Sequence, residues 1–202
     1  MMSPIVLILA LAQVPHQHHT GISSDEYARI LNDPSRDKWQ KPHEVIEALA
    51  LKSTDTIADI GAGTGYFTSR FARHASTAYA VDIDSKLLDI AKKDAPPNLV
   101  TILAAPDDPH LPAASIDTIF LCDVLHHIDS RPAYYEKLKQ ALKPNGRIVI
   151  VDFHEKKLPV GPPPEMKIAG DKVQAELAEA GFHLSRKWAM LPYQYFYEFR
   201  QH

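Results

Sequence analysis

At 202 residues, 45% of them hydrophobic and 23% charged, the chain has the size and balance of one globular domain with a substantial core. A formal charge of −3 with no Lys/Arg run gives little electrostatic basis for a nucleic-acid or anionic-membrane surface. The one cysteine, Cys122, excludes an intramolecular disulfide and any multi-cysteine metal or redox centre, and no metal site is expected.

Residues 1–21 read as a stretch apart from the domain. Met1 to Ala12 holds the apolar run PIVLILALA and ends in Ala10-Leu11-Ala12, the small-x-small pattern of a signal-peptidase site, and it is too short to span a bilayer. It predicts export to a periplasmic or membrane-associated location, although no Lys or Arg precedes the run; without export the protein would be cytoplasmic. Membrane contact is expected only through this segment. Val14 to Gly21 carries His16, His18 and His19 and reads as a flexible leader, because histidines without a scaffold do not fix a metal geometry.

The domain is expected over residues 22–202. Ser24 to Leu31, opened by Ser24 and Asp25 and with Tyr27, Ile30 and Leu31 on one face, predicts a helix that Asp33-Pro34 stops. Lys41 to Ala50 predicts a second, with Pro42 near its first turn and Val45, Ile46 and Leu49 apolar. Between them lies the polar stretch DPSRDKWQKP around Trp39.

Thr56 to Ile60 is a short strand-like run that enters the turn Gly61-Ala62-Gly63-Thr64-Gly65, and from Tyr66 onward Phe67, Phe71 and Ala72 take helical spacing. Glycine at such a junction permits positive φ and brings a ligand against bare backbone, while the helix start offers unpaired N–H groups. The expected guest is small and partly anionic. Thr77 to Val81 predicts the second strand, ending in Asp82-Ile83-Asp84. An acid about 20 residues past the glycines, at the end of the next strand, sits where a carboxylate can accept from both hydroxyls of a ribose. Asp82 fits that place with Ile83 beside it, and Asp84 reads as the cap of a helix from Ser85 to Lys93.

Leu99 to Ala104 predicts a third strand, followed by the turn Ala105 to Pro112 with its adjacent acids Asp107 and Asp108. Ser115 to Leu121 reads as a strand buried in a parallel sheet and runs into Cys122-Asp123-Val124-Leu125-His126-His127-Ile128. Ligands of open α/β sheets bind outside the carboxyl ends of the strands, so Asp123 or Leu125 would line a cofactor pocket. Pro132 to Leu142 predicts a helix, Lys143-Pro144-Asn145-Gly146 a turn, and Arg147 to Val151 a fifth strand ending at Asp152-Phe153-His154. The stiff loop LPVGPPP would frame a substrate rim. Asp171 to Ala180 predicts a helix, and Phe182 to Met190 with Gln194 to Arg200 a closing antiparallel pair, whose Tyr193 and Tyr195 are within possible reach of a substrate.

The G-x-G-x-G turn preceded by Asp59, the acid Asp82 after the second strand, the acidic turn after the third and the Asp123 segment after the fourth together resemble the class I S-adenosylmethionine-dependent methyltransferases, of the type 11/25-like kind. The resemblance covers about Lys41 to Arg200 and is strongest up to Asp152. It implies an α/β fold with a Rossmann-like seven-stranded, mostly parallel sheet, an antiparallel C-terminal strand and helices on both faces. It also implies S-adenosylmethionine held by Asp59, Gly61, Ala62, Gly63, Gly65, Asp82, Ile83 and Asp123. In the family an acid of the turn after the third strand accepts from the adenine amino group, which maps onto Asp107 with Asp108 adjacent; Pro106 and Asp108 depart from the usual pattern and leave the choice open. The helices ahead of the first strand would form a lid, with Trp39 and Gln40 closing the site, or Trp39 would simply pack that subdomain onto the sheet.

The chemistry implied is methyl transfer to a small-molecule acceptor, lipid-like quinone or protein side chain, with no nucleic acid as partner. A base is needed only where the acceptor carries a proton, and His126, His127 and His154 are the candidates. A nicotinamide-dependent oxidoreductase would need its third glycine one residue later. A non-catalytic S-adenosylmethionine sensor or partner-binding module with the same fold is the alternative.

Overall fold

A computed structural model describes residues 23–202. The signal-like segment and the histidine leader lie outside the described residues. The strands are β1 (Thr56–Ile60), β2 (Thr77–Asp82), β3 (Leu99–Leu103), β4 (Ile116–Cys122), β5 (Leu142–Phe153), β6 (Phe182–Trp188) and β7 (Gln194–Gln201). They form a 7-stranded sheet in the order β3-β2-β1-β4-β5-β7-β6. Neighbours from β3 to β5 run parallel, and β7 runs antiparallel to both β5 and β6. The mostly parallel sheet with an antiparallel C-terminal strand is therefore as expected.

The helices are α1 (Ser24–Leu31), α2 (Asp37–Gln40), α3 (Pro42–Leu49), α4 (Thr68–Phe71), α5 (Ser85–Lys92), α6 (Arg131–Ala141) and α7 (Gly170–Glu179). Successive strand residues point to opposite faces, and both faces here are covered. Ala58, Ile60, Ile119, Leu121, Ile148 and Ile150 meet Tyr134, Tyr135 and Leu138 of α6 and Val173 and Leu177 of α7. Ile57, Phe120, Val149 and Val151 meet Val45, Ile46 and Leu49 of α3 and Phe67 and Phe71 at α4. That double burial is why β4 and β5 read as continuous apolar runs rather than alternating ones. Among the described residues no helix is long and apolar enough to cross a membrane.

Three local differences from the sequence reading stand out. Only Thr68–Phe71 of the segment after the glycines is regular α-helix, because the left-handed residue Gly65 stands just ahead of it. The Lys143-Pro144-Asn145-Gly146 turn lies within the bounds of β5: Ile116 pairs with Leu142 and Thr118 with Arg147, so the intervening residues bulge out of the ladder. β6 ends at Trp188, short of Met190.

One buried ionic cluster ties the C-terminal strands to the rest. The Glu198 carboxylate of β7 accepts from Arg147 Nη1 at 2.8 Å, Arg200 Nε at 2.9 Å and Ser185 Oγ at 2.8 Å. Arg147 also donates to Thr118 Oγ1 at 3.0 Å and to the carbonyl of Leu49 at the end of α3. Burial alone would raise the Glu198 carboxyl, but the bonds from Ser185 and Arg147 and the Arg200 charge hold it below its ordinary value. Glu198→Ala would leave Arg147 buried without its partner, and a loss of roughly 3–5 kcal/mol is expected in denaturant unfolding.

Candidate cofactor and acceptor site

The site grows from the point where the strand order reverses. β1 lies between β2 and β4, so the crevice outside their carboxyl ends is open to a ligand bound against the loop after β1. Gly61, Gly63 and Gly65 all take left-handed backbone, with φ of 70°, 54° and 79°. The amides of Gly61 and Ala62 both donate to the Val81 carbonyl, at 2.8 and 3.1 Å, which pins the turn to β2. A Cβ at Gly61 would stand 2.5 Å from Val124 Cγ2 and one at Gly63 2.8 Å from Leu31 Cδ1, so the positions demand glycine for space as well as for φ.

Asp82 closes the other side of this cradle. Its Oδ2 accepts from Gly63 N at 2.7 Å and its Oδ1 from Asp84 N at 3.0 Å. Ile83 is half-buried next to it. Asp84 caps α5, accepting from Lys86 N at 2.8 Å, and also accepts from Ser24 Oγ of α1 at 3.0 Å.

Two further carboxyls are sunk into the crevice floor. Asp59, 3% exposed, accepts from Thr68 Oγ1 of α4 at 2.5 Å. Burial pushes it up to about 7 against the opposing pull of Thr68 and of the Arg36 charge. Asp123 follows β4 with φ of 56° and accepts from Gln40 Nε2 at 3.1 Å and Gln194 Nε2 at 2.6 Å. Burial first, and then the charge of Asp152, push it up to about 6, with Arg36 opposing.

The segment ahead of β1 covers these groups. Leu31 lies against Gly63, Thr64 Oγ1 donates to Asn32 Oδ1 at 2.7 Å, and fully buried Gln40 also reaches Cys122 Sγ at 2.9 Å. Arg36 donates to Gln40 and to the Leu31 carbonyl, and its guanidinium lies 4.2 Å from the Tyr66 ring centre. Trp39 packs 5.6 Å from the Phe153 ring and 6.5 Å from that of Tyr193, joining this segment to the end of β5. A cavity of about 340 Å³ opens beside the turn between Asn32, Asp37, Thr64, Tyr66 and Arg70; it approaches from the Gly65 side, and its lining does not include Asp82 or Asp123. Leu31 thus stands against Gly63 of the glycine turn.

The remaining residues separate clearly. Asp108 is engaged with Lys137 Nζ at 2.9 Å and His110 N at 2.8 Å, bonds that hold its carboxyl below the ordinary value, whereas Asp107 is exposed. His126 and Asp152 face each other at the ends of β4 and β5, with Nδ1 and Oδ2 3.9 Å apart. His127 is exposed, its ring tilted against that of His126 at 4.1 Å, while His154 packs on Tyr195 at 6.1 Å and is pushed down by burial and by Lys156. Arg36 and Gln194 were not singled out from sequence; Arg36 sits in the polar stretch flagged around Trp39, and nothing local marks Gln194.

A buried acid with a raised pKa favours the fold most when protonated, so this contribution of Asp59 is full below its ordinary value of 3.8 and is lost as pH rises toward about 7. Asp59→Asn carries no such proton. Melting temperatures measured from pH 4.5 to 7.5 are expected to decline less in the variant than in wild type.

The comparisons agree with this fold. A methyltransferase-domain family model matches residues 58–150. An uncharacterized methyltransferase of Mycobacterium tuberculosis is 30% identical over 110 residues, 54% of this chain and 44% of the relative. A demethylmenaquinone methyltransferase of Tropheryma whipplei is 28% identical over 116 residues, covering 56% and 48%. The chain thus spans about half the length of these relatives over the matched region. Among solved structures, a SAM-dependent methyltransferase from Aquifex aeolicus superimposes with a TM-score of 0.80 at 24% identity, covering 88% of this chain and 98% of that one. With the glycine turn, the strand order and the family model pointing one way, residues 58–150 match a methyltransferase domain, and the chain has the fold of the S-adenosylmethionine-dependent methyltransferases.

Proposed function

We propose that the protein transfers a methyl group from S-adenosylmethionine to a small-molecule acceptor. The observation that carries this reading is the joint cradle of Gly63 and Asp82: one carboxylate, bonded at 2.7 Å to a left-handed glycine amide, faces the bare backbone of the turn. A carboxylate oxygen that accepts one backbone N–H keeps lone-pair capacity for a ribose hydroxyl. Asp59 and Asp123 suit the cationic end of the cofactor, since a positive group placed beside them favours the charged forms that burial disfavours. In this reading Arg36 would meet the cofactor's carboxylate and Asp107 its adenine amino group.

When bound, S-adenosylmethionine supplies a methyl already activated by a sulfonium. The protein's task is then alignment and exclusion of water. Leu31, Trp39 and Gln40 supply the exclusion by covering the strand ends. The relative named as a demethylmenaquinone methyltransferase lends support to a small organic acceptor.

Calorimetry is expected to show S-adenosylmethionine binding by the wild type and a loss of about 1–3 kcal/mol in Asp82→Ala, from the missing charge-assisted hydrogen bonds. Label from methyl-labelled cofactor is expected in a product when the protein is incubated with a metabolite extract. Binding with no transfer in any extract would favour the sensor reading.

A further inference from the structure

Among the described residues, His126 Nδ1 and Asp152 Oδ2 are the buried side-chain polar atoms without a hydrogen-bond partner. Such orphans are costly and uncommon. These two are neighbours, 3.9 Å apart, which is too far for a direct hydrogen bond and close enough for one oxygen to bond both. The groups around them are committed elsewhere. Gln40 and Gln194 both donate to Asp123, Tyr195 OH donates to the Ile168 carbonyl at 3.2 Å, Lys167 Nζ donates to the Lys156 carbonyl at 2.8 Å, and the other Asp152 oxygen accepts from Phe153 N. The pair lies at the carboxyl ends of adjacent strands.

We infer that this gap receives the reacting hydroxyl of the acceptor, so that the substrate is a neutral alcohol or phenol and the product a methyl ether; this rests on the methyltransferase reading above. A hydroxyl has one proton to give to Asp152 Oδ2 and lone pairs to accept from His126 Nδ1–H, which matches the pair group for group. A protonated amine matches less well, because it has no lone pair to accept from His126 Nδ1–H. As the acceptor oxygen forms its bond to the methyl, its proton passes to Asp152 Oδ2. The S–C bond breaks with its electron pair left on sulfur, so the sulfonium becomes a neutral thioether and the charge balances. Asp152 is the catalytic base, and His126 holds the oxygen in place.

The test uses the full chain with S-adenosylmethionine carrying a ¹³C-methyl group and a metabolite extract, and reads the linkage of the transferred methyl by NMR. An O-methyl product is expected. An N-, S- or C-methyl product would overturn the inference while leaving the methyltransferase reading intact, whereas cofactor binding without any transfer would overturn both. Failure to bind the cofactor by calorimetry would instead remove the reading on which it rests. With the labelled product as substrate guide, Asp152→Asn is expected to lower kcat by about 10²-fold or more with unchanged cofactor affinity. His126→Asn, which keeps a donor near Nδ1, should retain more of the rate than His126→Phe. Equal rates for those two, or an Asp152→Asn variant as active as wild type, would contradict the assignment. The linkage measurement is made on wild type and does not depend on the variants folding.

Discussion

The structure depends on a backbone constraint: a turn of left-handed glycines held to the neighbouring strand by two amides sharing the Val81 carbonyl. Because the turn is fixed to β2 rather than only to its own strand, Asp82 stands at a set distance from Gly63. Side chains would displace Val124 or Leu31 as well as strain φ. The same few residues therefore fix the fold's switch point and shape the place where a nucleoside would lie.

Around this frame the protein keeps carboxyl groups where water does not compensate them. Asp59 leans on Thr68, and Asp123 on two glutamine amides, yet burial dominates both. Neutral amides can orient a carboxylate without neutralising it, which leaves the charge to be met by a ligand. The segment ahead of β1 contributes the cation Arg36 and the amide Gln40 to the same cluster, so its position and the charge of the floor are physically linked.

Much of the fold was legible in local pattern. β1 and α1 coincide with the runs that β-branched spacing and capping residues suggested, and Asp84 caps α5 as its place before Ser85 implied. Asp82 was legible because its distance from the glycines is set by one helix and one strand. The β5 bulge was less so: Lys143 to Gly146 has turn composition, and only pairing with Ile116 shows that the ladder resumes on both sides of it. The partnership of Gln40 with Asp123 and Gln194, or of His126 with Asp152, spans stretches of chain that no local period connects. Likewise, three histidines near strand ends look alike in sequence, and exposure and packing distinguish them: His126 is buried facing Asp152, His127 is exposed, and His154 lies against Tyr195.

The inboard position of β7 carries a consequence for how the molecule is made. β6 is synthesised first but has no place on the sheet until β7 arrives to separate it from β5. During translation, the β5 edge and the apolar face of β6 must wait unpaired while the intervening strand emerges, a natural point for chaperone engagement or for misjoining of two nascent chains. That same strand brings Gln194 to Asp123, so the contacts of the Asp123 carboxyl cannot be complete before it is made.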